Sequence, residues 1–200
     1  LDFKEVGELI VAFTQDEIGR LLEIKKEAEA LGVPQLRIVD KSWLKDNEPN
    51  LNPEAVCALY APTAGIISPY RMVYALCENA LKNGVDIYTQ AKVKNIISTN
   101  QGFELQASKG AFKARYIINA AGLYADEIAA MVGINDFKIR PRKGEEFIFD
   151  KKKENLANHL IFPLPSKVSK GILVIKTADC NPMIGPSAQE VEDKDDVATS

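Results

Sequence analysis

The chain has 200 residues, of which 46% are hydrophobic and 26% are charged, as is ordinary for a soluble globular protein of one large or two small domains. A formal net charge of −3 without a basic stripe argues against a nucleic-acid partner. We expect no transmembrane segment and no signal peptide. Three cysteines without metal-like spacing and a single histidine, His159, give metal binding little support and favour reduced thiols in the cytoplasm.

The first third of the chain predicts alternating strands and helices. The run VGELIVAFT, residues 6–14, has the β-branched and apolar content of a buried strand. Thr14 and Glu17 have the spacing of a capping box, and the helix that they begin has an apolar stripe ending at Gly32 and Pro34. The next predicted elements are a strand at 36–40, a helical turn within 41–50, a strand and turn within 56–69, and a helix at 69–84.

Beyond the helix at 69–84, most of the predicted elements are strands. Turns at Asn100–Gly102 and Lys109–Gly110 predict two hairpins, and a helix is expected at 123–131. The charge runs at 151–155 and 192–196 are interpreted as a solvated loop and tail. The predicted strands lie at 85–90, 91–99, 102–108, 111–120, 137–150, 159–165 and 171–177. The pattern is that of an α+β chain with mixed sheets.

A turn of small residues stands in the segment ARYIINAAGLYADEIAAM, residues 114–131. Ala120, Ala121 and Gly122 follow a predicted strand and precede a helix, as in folds that bring backbone amides close to a dinucleotide. The G-x-G-x-x-G fingerprint is absent, because no two of the 12 glycines lie within two residues of each other. Either the turn is an ordinary one, or the first half of a nucleotide site precedes Leu1. Since the sequence starts without a methionine, we expect it to be an internal piece of a longer polypeptide.

Several motifs in succession resemble the glycerol-3-phosphate dehydrogenase-like branch of the FAD-dependent oxidoreductases related to D-amino-acid oxidase, which is close to L-2-hydroxyglutarate oxidase. The matching motifs are GELIVAFT, NEPNLNPEAVCALYAPTAGIISPYRM, PYRMVYALCENALKNG, VDIYTQAKVKNI, GFELQASKGAFKARYIINAAG, IRPRKGEEFIFD, IFPLPS and GILVIKTADCNPMIGPSA. The resemblance implies a mixed or antiparallel substrate-domain sheet with helices, and an incomplete portion of a Rossmann-like FAD domain. It implies substrate-domain parts at 1–67 and 134–188, a partial FAD domain at 68–133 and a tail at 189–200.

The resemblance also implies a set of cofactor-binding residues. Lys92 and Val93 would lie beside the adenine, and Ala120, Ala121 and Gly122 would face the phosphates or the ribitol of FAD. Small side chains there leave room for a cofactor. The alternative interpretation is a strand interior at Val93 and tight packing at the alanines.

Two further stretches are candidates for the substrate site. In related flavoenzymes the loop containing Thr63, Ala64 and Gly65 passes close to the substrate pocket. A loop fixed by its prolines is the alternative interpretation. Lys176 and Thr177, at the end of the predicted strand 171–177, occupy positions where relatives place groups that line the substrate site.

The segment KIRPRKGEEFIFD provides the candidate anion-binding and acid–base groups. A strand alternation places two sets of residues on opposite faces: Arg140, Arg142, Gly144 and Glu146 on one, and Lys143, Glu145, Phe147 and Phe149 on the other. Oxidation of an alcohol beside a phosphate or carboxylate requires cations to hold the anion and a base for the hydroxyl proton. The catalytic candidates are Arg142, Lys143, Glu145, Glu146, Lys176 and Thr177. A solvated charged edge strand is the alternative, and Glu146 departs from the aromatic residue that is common in the family.

Two other residues are given no catalytic role. His159 is interpreted as an ordinary histidine at a strand edge, although a catalytic base is conceivable. Cys180 replaces a glycine that is frequent in the family, so we expect backbone strain there.

The function implied by the resemblance is oxidation of a small anionic secondary alcohol by hydride transfer to FAD. Glycerol 3-phosphate giving dihydroxyacetone phosphate is the leading reaction, L-2-hydroxyglutarate the second, and an amine or amino acid the third. Electrons would leave to a quinone, a partner protein or oxygen, and the intact enzyme could be peripheral to a membrane. The 200 residues alone would form an inactive substrate-binding module without FAD, and sheet edges near 91–96 and 114–120 would favour self-association.

Overall fold

The computed structural model describes residues 3–165 and 171–199, which divide into two compact units. The first unit comprises Leu1–Leu76 and Gly144–Ala188, and the second comprises Cys77–Lys143 and Gln189–Ser200. None of the helices in these described ranges is both long and apolar enough to cross a membrane.

The elements alternate between helices and short strands in the first part of the chain and are mostly strands afterwards. In chain order they are β1 Lys4–Glu5, β2 Glu8–Ala12, α1 Gln15–Ala30, β3 Arg37–Asp40, α2 Lys41–Asn47, β4 Cys57–Ala61, β5 Gly65–Ile66, α3 Pro69–Lys82, β6 Val93–Thr99, β7 Gly102–Ala107, β8 Gly110–Ala114, α4 Ala125–Ala130, β9 Arg142–Lys143, β10 Phe147–Ile148, β11 Leu160–Pro163, β12 Leu173–Lys176, β13 Pro182–Gly185 and β14 Gln189–Glu190. Two 3₁₀ turns, at Gly122–Tyr124 and Lys151–Leu156, complete the set.

A seven-stranded sheet is the framework of the first unit. Its strand order is β10-β13-β12-β11-β2-β4-β3. The neighbours β11 and β2 are parallel, and the other pairs are antiparallel. The predicted α+β class with a mixed sheet is therefore confirmed.

The strand β2 contributes to the core on both faces of this sheet. Leu9 and Val11 are fully buried and pack in one cluster with Leu44 of α2. Ala12 packs in a second cluster with Leu21 of α1. Each leucine side chain buried in this way stabilises the fold by about 1.5–3 kcal/mol. The continuous apolar run in the sequence is explained by this burial on two sides.

The ends of α1 follow the predicted signals. The carboxylate of Glu17 accepts a hydrogen bond from the backbone N–H of Thr14 at 3.1 Å, as in a capping box. The helix ends at Ala30, and Gly32 adopts a left-handed backbone with φ of +86°. Both predicted boundaries are confirmed.

The second unit contains an antiparallel sheet of the order β6-β7-β8. The two hairpins are confirmed at the predicted turns. In the described residues β6 and β8 each pair with β7 alone, so one edge of each lacks a partner strand.

Two predicted strands of the second unit are wrong. The strand expected at 111–120 ends at Ala114, and no strand forms at 85–90. Tyr116 is 84% exposed and Ile118 is 92% exposed. A strand requires a hydrogen-bonded neighbour, and no other described segment pairs with this one. The apolar composition indicated a buried strand, but the described residues provide nothing that buries it.

The long strand expected at 137–150 is also wrong. It is reduced to β9 and β10, which pair with β14 and β13 respectively. The residues between them, Gly144–Glu146, belong to no strand. A period-two alternation across the segment therefore does not hold, because the two short strands belong to different sheets.

Self-association of the 200-residue chain remains a prediction. The exposed Tyr116 and Ile118 and the unpaired edges of β6 and β8 would favour contacts between copies. We expect light scattering of the purified 200 residues to give a mass above the 22.0 kDa of one chain. A mass of 22.0 kDa at micromolar concentration would contradict this expectation.

A substitution at Gly7 tests the packing of the first unit. Gly7 has φ of +73°, and a Cβ atom there would lie 2.7 Å from Cε2 of Tyr60 and 3.0 Å from Cδ2 of His159. We expect Gly7→Ala to lower the free energy of unfolding by about 3 kcal/mol through strain and overpacking. The matched control is Gly19→Ala in α1, where a Cβ would meet no atom within 4 Å; it should raise stability by about 0.5–1 kcal/mol. Urea-induced unfolding would measure the free energy of unfolding of both variants, and equal values would refute the packing argument.

Candidate functional site

A cavity of about 450 Å³ opens in the second unit between the start of β6 and one face of α4. Its lining is mostly apolar. The lining residues are Lys92, Val93, Ala121, Tyr124, Glu127, Ile128 and Met131.

Four of these residues line the cavity together because they lie on one face of a helical segment. Tyr124, Glu127, Ile128 and Met131 follow the spacing i, i+3, i+4 and i+7, so they share one face of the helical segment that starts at the 3₁₀ turn. Val93 contributes from the opposite wall at the start of β6. The ladder is irregular between Val93 and Asn95, where β6 shifts its register against β7. A bulge of this kind reorients the backbone beside the cavity.

Three of the five predicted cofactor residues line this cavity: Lys92, Val93 and Ala121. Ala120 and Gly122 are exposed neighbours that do not line it. Gly122 has φ of +56°, and a Cβ there would meet no atom within 4 Å. The glycine is thus required by the backbone conformation rather than by close packing.

The sequence analysis missed the cavity residues on the helix. Their helical spacing directly after the small-residue turn was the available signal. An apolar stripe on a short helix ordinarily indicates a core face, however.

The charged segment at 192–196 makes specific contacts in the second unit, so its interpretation as a solvated tail is wrong. Lys194 Nζ lies 2.6 Å from Oδ1 of Asp126 and 3.0 Å from Oε1 of Glu127. The hydroxyl of Tyr124 donates a hydrogen bond to Asp195, and Lys194 Nζ lies 5.6 Å from the centre of the Tyr124 ring. These contacts join the segment to α4 and to the turn before it, across more than 60 residues of sequence.

The charges of this cluster influence one another. The hydrogen bond from Lys194 lowers the pKa of Asp126, and the same bond raises the pKa of Lys194. Asp126 also accepts the backbone N–H of Ile139 at 3.1 Å. Both shifts favour the charged forms, so the ion pair is present throughout the neutral pH range.

Lys143, a predicted catalytic residue, is held in another ion pair. Its Nζ lies 2.7 Å from Oδ2 of Asp196 and donates to the carbonyl oxygen of Ala198 at 2.8 Å. The Lys143 side chain is 13% exposed, and the hydrogen bond from it lowers the pKa of Asp196. Arg142, its neighbour in β9, is exposed and has partners of its own. The positive charge of Lys143 is therefore already paired with a carboxylate of the same chain.

The predicted acidic residues belong to the first unit. The backbone N–H of Glu145 donates to the Ser187 hydroxyl at 3.0 Å, while the Ser187 N–H donates to the Glu145 carbonyl at 2.9 Å. Glu146 is exposed. The structure thus divides the predicted anion-binding segment between the two units, after Lys143.

Lys176 and Thr177 stand where β12 enters the turn to β13. The Thr177 hydroxyl accepts the backbone N–H of Asn181 at 3.1 Å, which closes the turn. Lys176 is half-buried, with no side-chain hydrogen bond or ion pair to the described residues. Cys180 in this turn has φ of +70°, so the strain expected from the replacement of a glycine is confirmed.

The predicted substrate loop, Thr63–Gly65, also belongs to the first unit. Thr63 and Ala64 line a cavity of about 280 Å³ together with Glu8 and apolar residues of α1 and β4. Burial raises the pKa of the Glu8 carboxyl. Gly65 belongs to β5, which pairs with β1. A carboxylate in this cavity disfavours an anionic ligand there.

His159 is part of a buried polar cluster at the start of β11. The carboxylate of Glu48 accepts hydrogen bonds from the backbone N–H groups of Asn158 and His159 and from Nδ1 of His159, at 2.6–3.0 Å. The imidazole packs against the rings of Trp43 and Tyr60, with centroids 5.6 Å and 5.3 Å away. The histidine is therefore a structural partner of Glu48, as its position at a strand edge suggested.

Comparison with known proteins gives close sequence relatives along almost the whole chain. The sequence is 40% identical to a glycerol 3-phosphate dehydrogenase of Caloramator mitchellensis over 192 residues, which are 96% of this chain and 40% of the relative. It is 31% identical to a glycerol 3-phosphate oxidase of Mycoplasma genitalium, covering 94% of this chain and 50% of that protein. The mitochondrial L-2-hydroxyglutarate dehydrogenase of Nematostella vectensis is 27% identical, with 94% and 44% covered. The chain thus spans about half the length of these relatives, or less.

Comparison with solved structures shows that the fold is shared as well. The dithionite-reduced L-α-glycerophosphate oxidase of Mycoplasma pneumoniae with FAD bound superposes with a TM-score of 0.86 at 29% identity, covering 96% of this chain and 52% of that one. The expected mixed fold of a fragment of an FAD-dependent oxidoreductase is confirmed by this match. The model of the FAD-dependent oxidoreductase family, DAO, matches residues 1–200. The chain belongs to the DAO family of FAD-dependent oxidoreductases.

Proposed function

We propose that the full-length protein oxidises sn-glycerol 3-phosphate to dihydroxyacetone phosphate by hydride transfer to FAD. The observation that carries this proposal is the ranking of the relatives. Three proteins named for glycerol 3-phosphate are 30–40% identical to this chain. Those named for L-2-hydroxyglutarate are 25–30% identical.

The cavity of the second unit is the proposed place of the adenosine end of FAD. Its walls fit this group, because Val93, Ile128 and Met131 offer apolar contact to a flat base and β6 offers an unpaired backbone edge. Ala121 adds no bulk, and Gly122 gives the turn its left-handed backbone. When bound, FAD supplies the acceptor for the two electrons and the hydrogen from the alcohol carbon.

The substrate phosphate is proposed to contact Lys176 and Thr177. Lys176 is a half-buried cation without an ion-pair partner among the described residues, so an anion would find its charge available. Lys143 is a weaker candidate than the sequence suggested, because Asp196 already neutralises it. Glu145 and Glu146 are the proposed acid–base candidates, since a base must accept the hydroxyl proton as the hydride leaves.

L-2-hydroxyglutarate is the second candidate substrate. Several relatives that cover 82–94% of this chain carry that name. Both molecules are secondary alcohols beside an anionic group, so the same cation arrangement serves either.

Turnover by the full-length gene product tests the proposal. The protein would be purified, loaded with FAD and assayed with a dye acceptor against sn-glycerol 3-phosphate, L-2-hydroxyglutarate and an amino-acid series. We expect kcat/KM for glycerol 3-phosphate to exceed that for the others by at least about tenfold, a difference of roughly 1.4 kcal/mol in transition-state binding. A protein that binds FAD and prefers another substrate would refute the substrate assignment, and one that takes up no FAD would refute the proposal as a whole.

We propose that the first unit supplies substrate-binding elements and the second supplies FAD-binding elements, with the division near 76 and 143 rather than at 67 and 133. A cytoplasmic location is supported by the free thiols of Cys57, Cys77 and Cys180. The electron acceptor would be a quinone, a partner protein or oxygen.

A further inference from the structure

The segment Asp193–Asp196 is bound to the helix that forms one wall of the cavity. Tyr124 and Glu127 line the cavity and also contact this segment, through Asp195 and Lys194 respectively. Asp126, between them in sequence, holds Lys194 at 2.6 Å and the backbone of Ile139 at 3.1 Å. The cavity wall is therefore fixed by contacts made outside the cavity.

We infer that Lys194 is a positioning residue for the dinucleotide site, fixing α4 and neutralising the carboxylates on it. The inference rests on the proposed binding of FAD in this cavity. Lys194 makes most of the contacts between the segment and α4, because its ammonium group contacts both Asp126 and Glu127 and lies over the Tyr124 ring.

Lys194 would favour FAD binding in two ways, by holding α4 in place and by neutralising its carboxylates. The helix α4 has six residues and contributes one buried side chain, Ala129, so its own packing holds it weakly. Contacts to Lys194 and Asp195 supply a second attachment. Without the ammonium group, Glu127 in the cavity wall and Asp126 beside it would place two uncompensated carboxylates near a cofactor that carries an anionic diphosphate, and like charges repel.

A second ion pair holds the same segment in place. Asp196 pairs with Lys143 of β9, and β14, which precedes Lys194 in the chain, pairs with the same strand β9. The segment is thus attached to the second unit on both sides of Lys194. This explains how a residue 67 positions after Glu127 is brought back to it.

Lys194→Met in the full-length gene product tests the inference. The variant retains most of the side-chain volume and loses the charge, and we expect its FAD dissociation constant to rise about tenfold in a flavin-fluorescence titration. Lys194→Arg should restore most of the affinity because it can still pair with both carboxylates. Lys109→Met, in the β7–β8 hairpin and exposed, is the matched control and should bind FAD as the wild type does.

Hydrogen exchange of the FAD-free protein separates the inference from the proposed function. We expect faster exchange at the amides of residues 125–130 in Lys194→Met and no change in Lys109→Met. An unchanged FAD affinity in Lys194→Met would overturn the inference, whatever the exchange shows. Unchanged exchange with weaker FAD binding would overturn the mechanical part and leave the electrostatic one. A wild type that binds no FAD would overturn the proposed function, and this inference with it.

Discussion

Ala121→Trp is expected to abolish tight FAD binding by the full-length protein. Ala121 lines the 450 Å³ cavity between β6 and α4, and an indole at this position would fill space that the cofactor needs. We expect the dissociation constant for FAD to rise at least about a hundredfold, equivalent to roughly 2.8 kcal/mol. Bound flavin per protein, measured by absorbance after gel filtration, and a fluorescence titration would both report the loss.

The control for this prediction is Ala130→Trp. Ala130 is the last residue of α4, is exposed and does not line the cavity. The control introduces the same side chain into the helix beside the cavity and should leave FAD affinity within about twofold of the wild type, because exposed substitutions change little. If Ala121→Trp also retained normal FAD binding, with an unchanged melting temperature, the cavity would not be the cofactor site.

Glu48→Ala is expected to destabilise the first unit strongly. The Glu48 side chain is 1% exposed, and its carboxylate accepts backbone hydrogen bonds from both Asn158 and His159. Removing it would leave two backbone donors and the imidazole without their acceptor and would open a small void. We expect the free energy of unfolding to fall by about 3–5 kcal/mol. Urea-induced unfolding followed by circular dichroism would measure the change.

Glu54→Ala is the matched control for this loss. Glu54 is an exposed carboxylate in the same connection between α2 and β4, and its replacement should change stability by less than about 0.5 kcal/mol. Glu48→Gln should fall between the two, since its amide oxygen can still accept while its NH₂ group faces donors. A Glu48→Ala protein as stable as Glu54→Ala would show that the buried cluster contributes little.

The elements with local signals were predictable from the sequence alone. The capping box at Thr14 and Glu17, the helix stop near Gly32 and the hairpin turns depend on residues a few positions apart, so their physics is contained in the local sequence. The order of motifs also indicated the family correctly. The turn at 120–122 and Lys92–Val93 were identified by resemblance, and three of these residues line one cavity.

Which charges are neutralised and which predicted strands form depends on contacts between distant residues. Lys143 has the composition of an anion-binding residue, but Asp196 approaches it from 53 positions away in the chain. The strand at 111–120 requires a neighbour that no described segment provides, so it ends at Ala114. Contacts of these two kinds join residues that are far apart in the chain, so the spacing of residues along the sequence does not predict them.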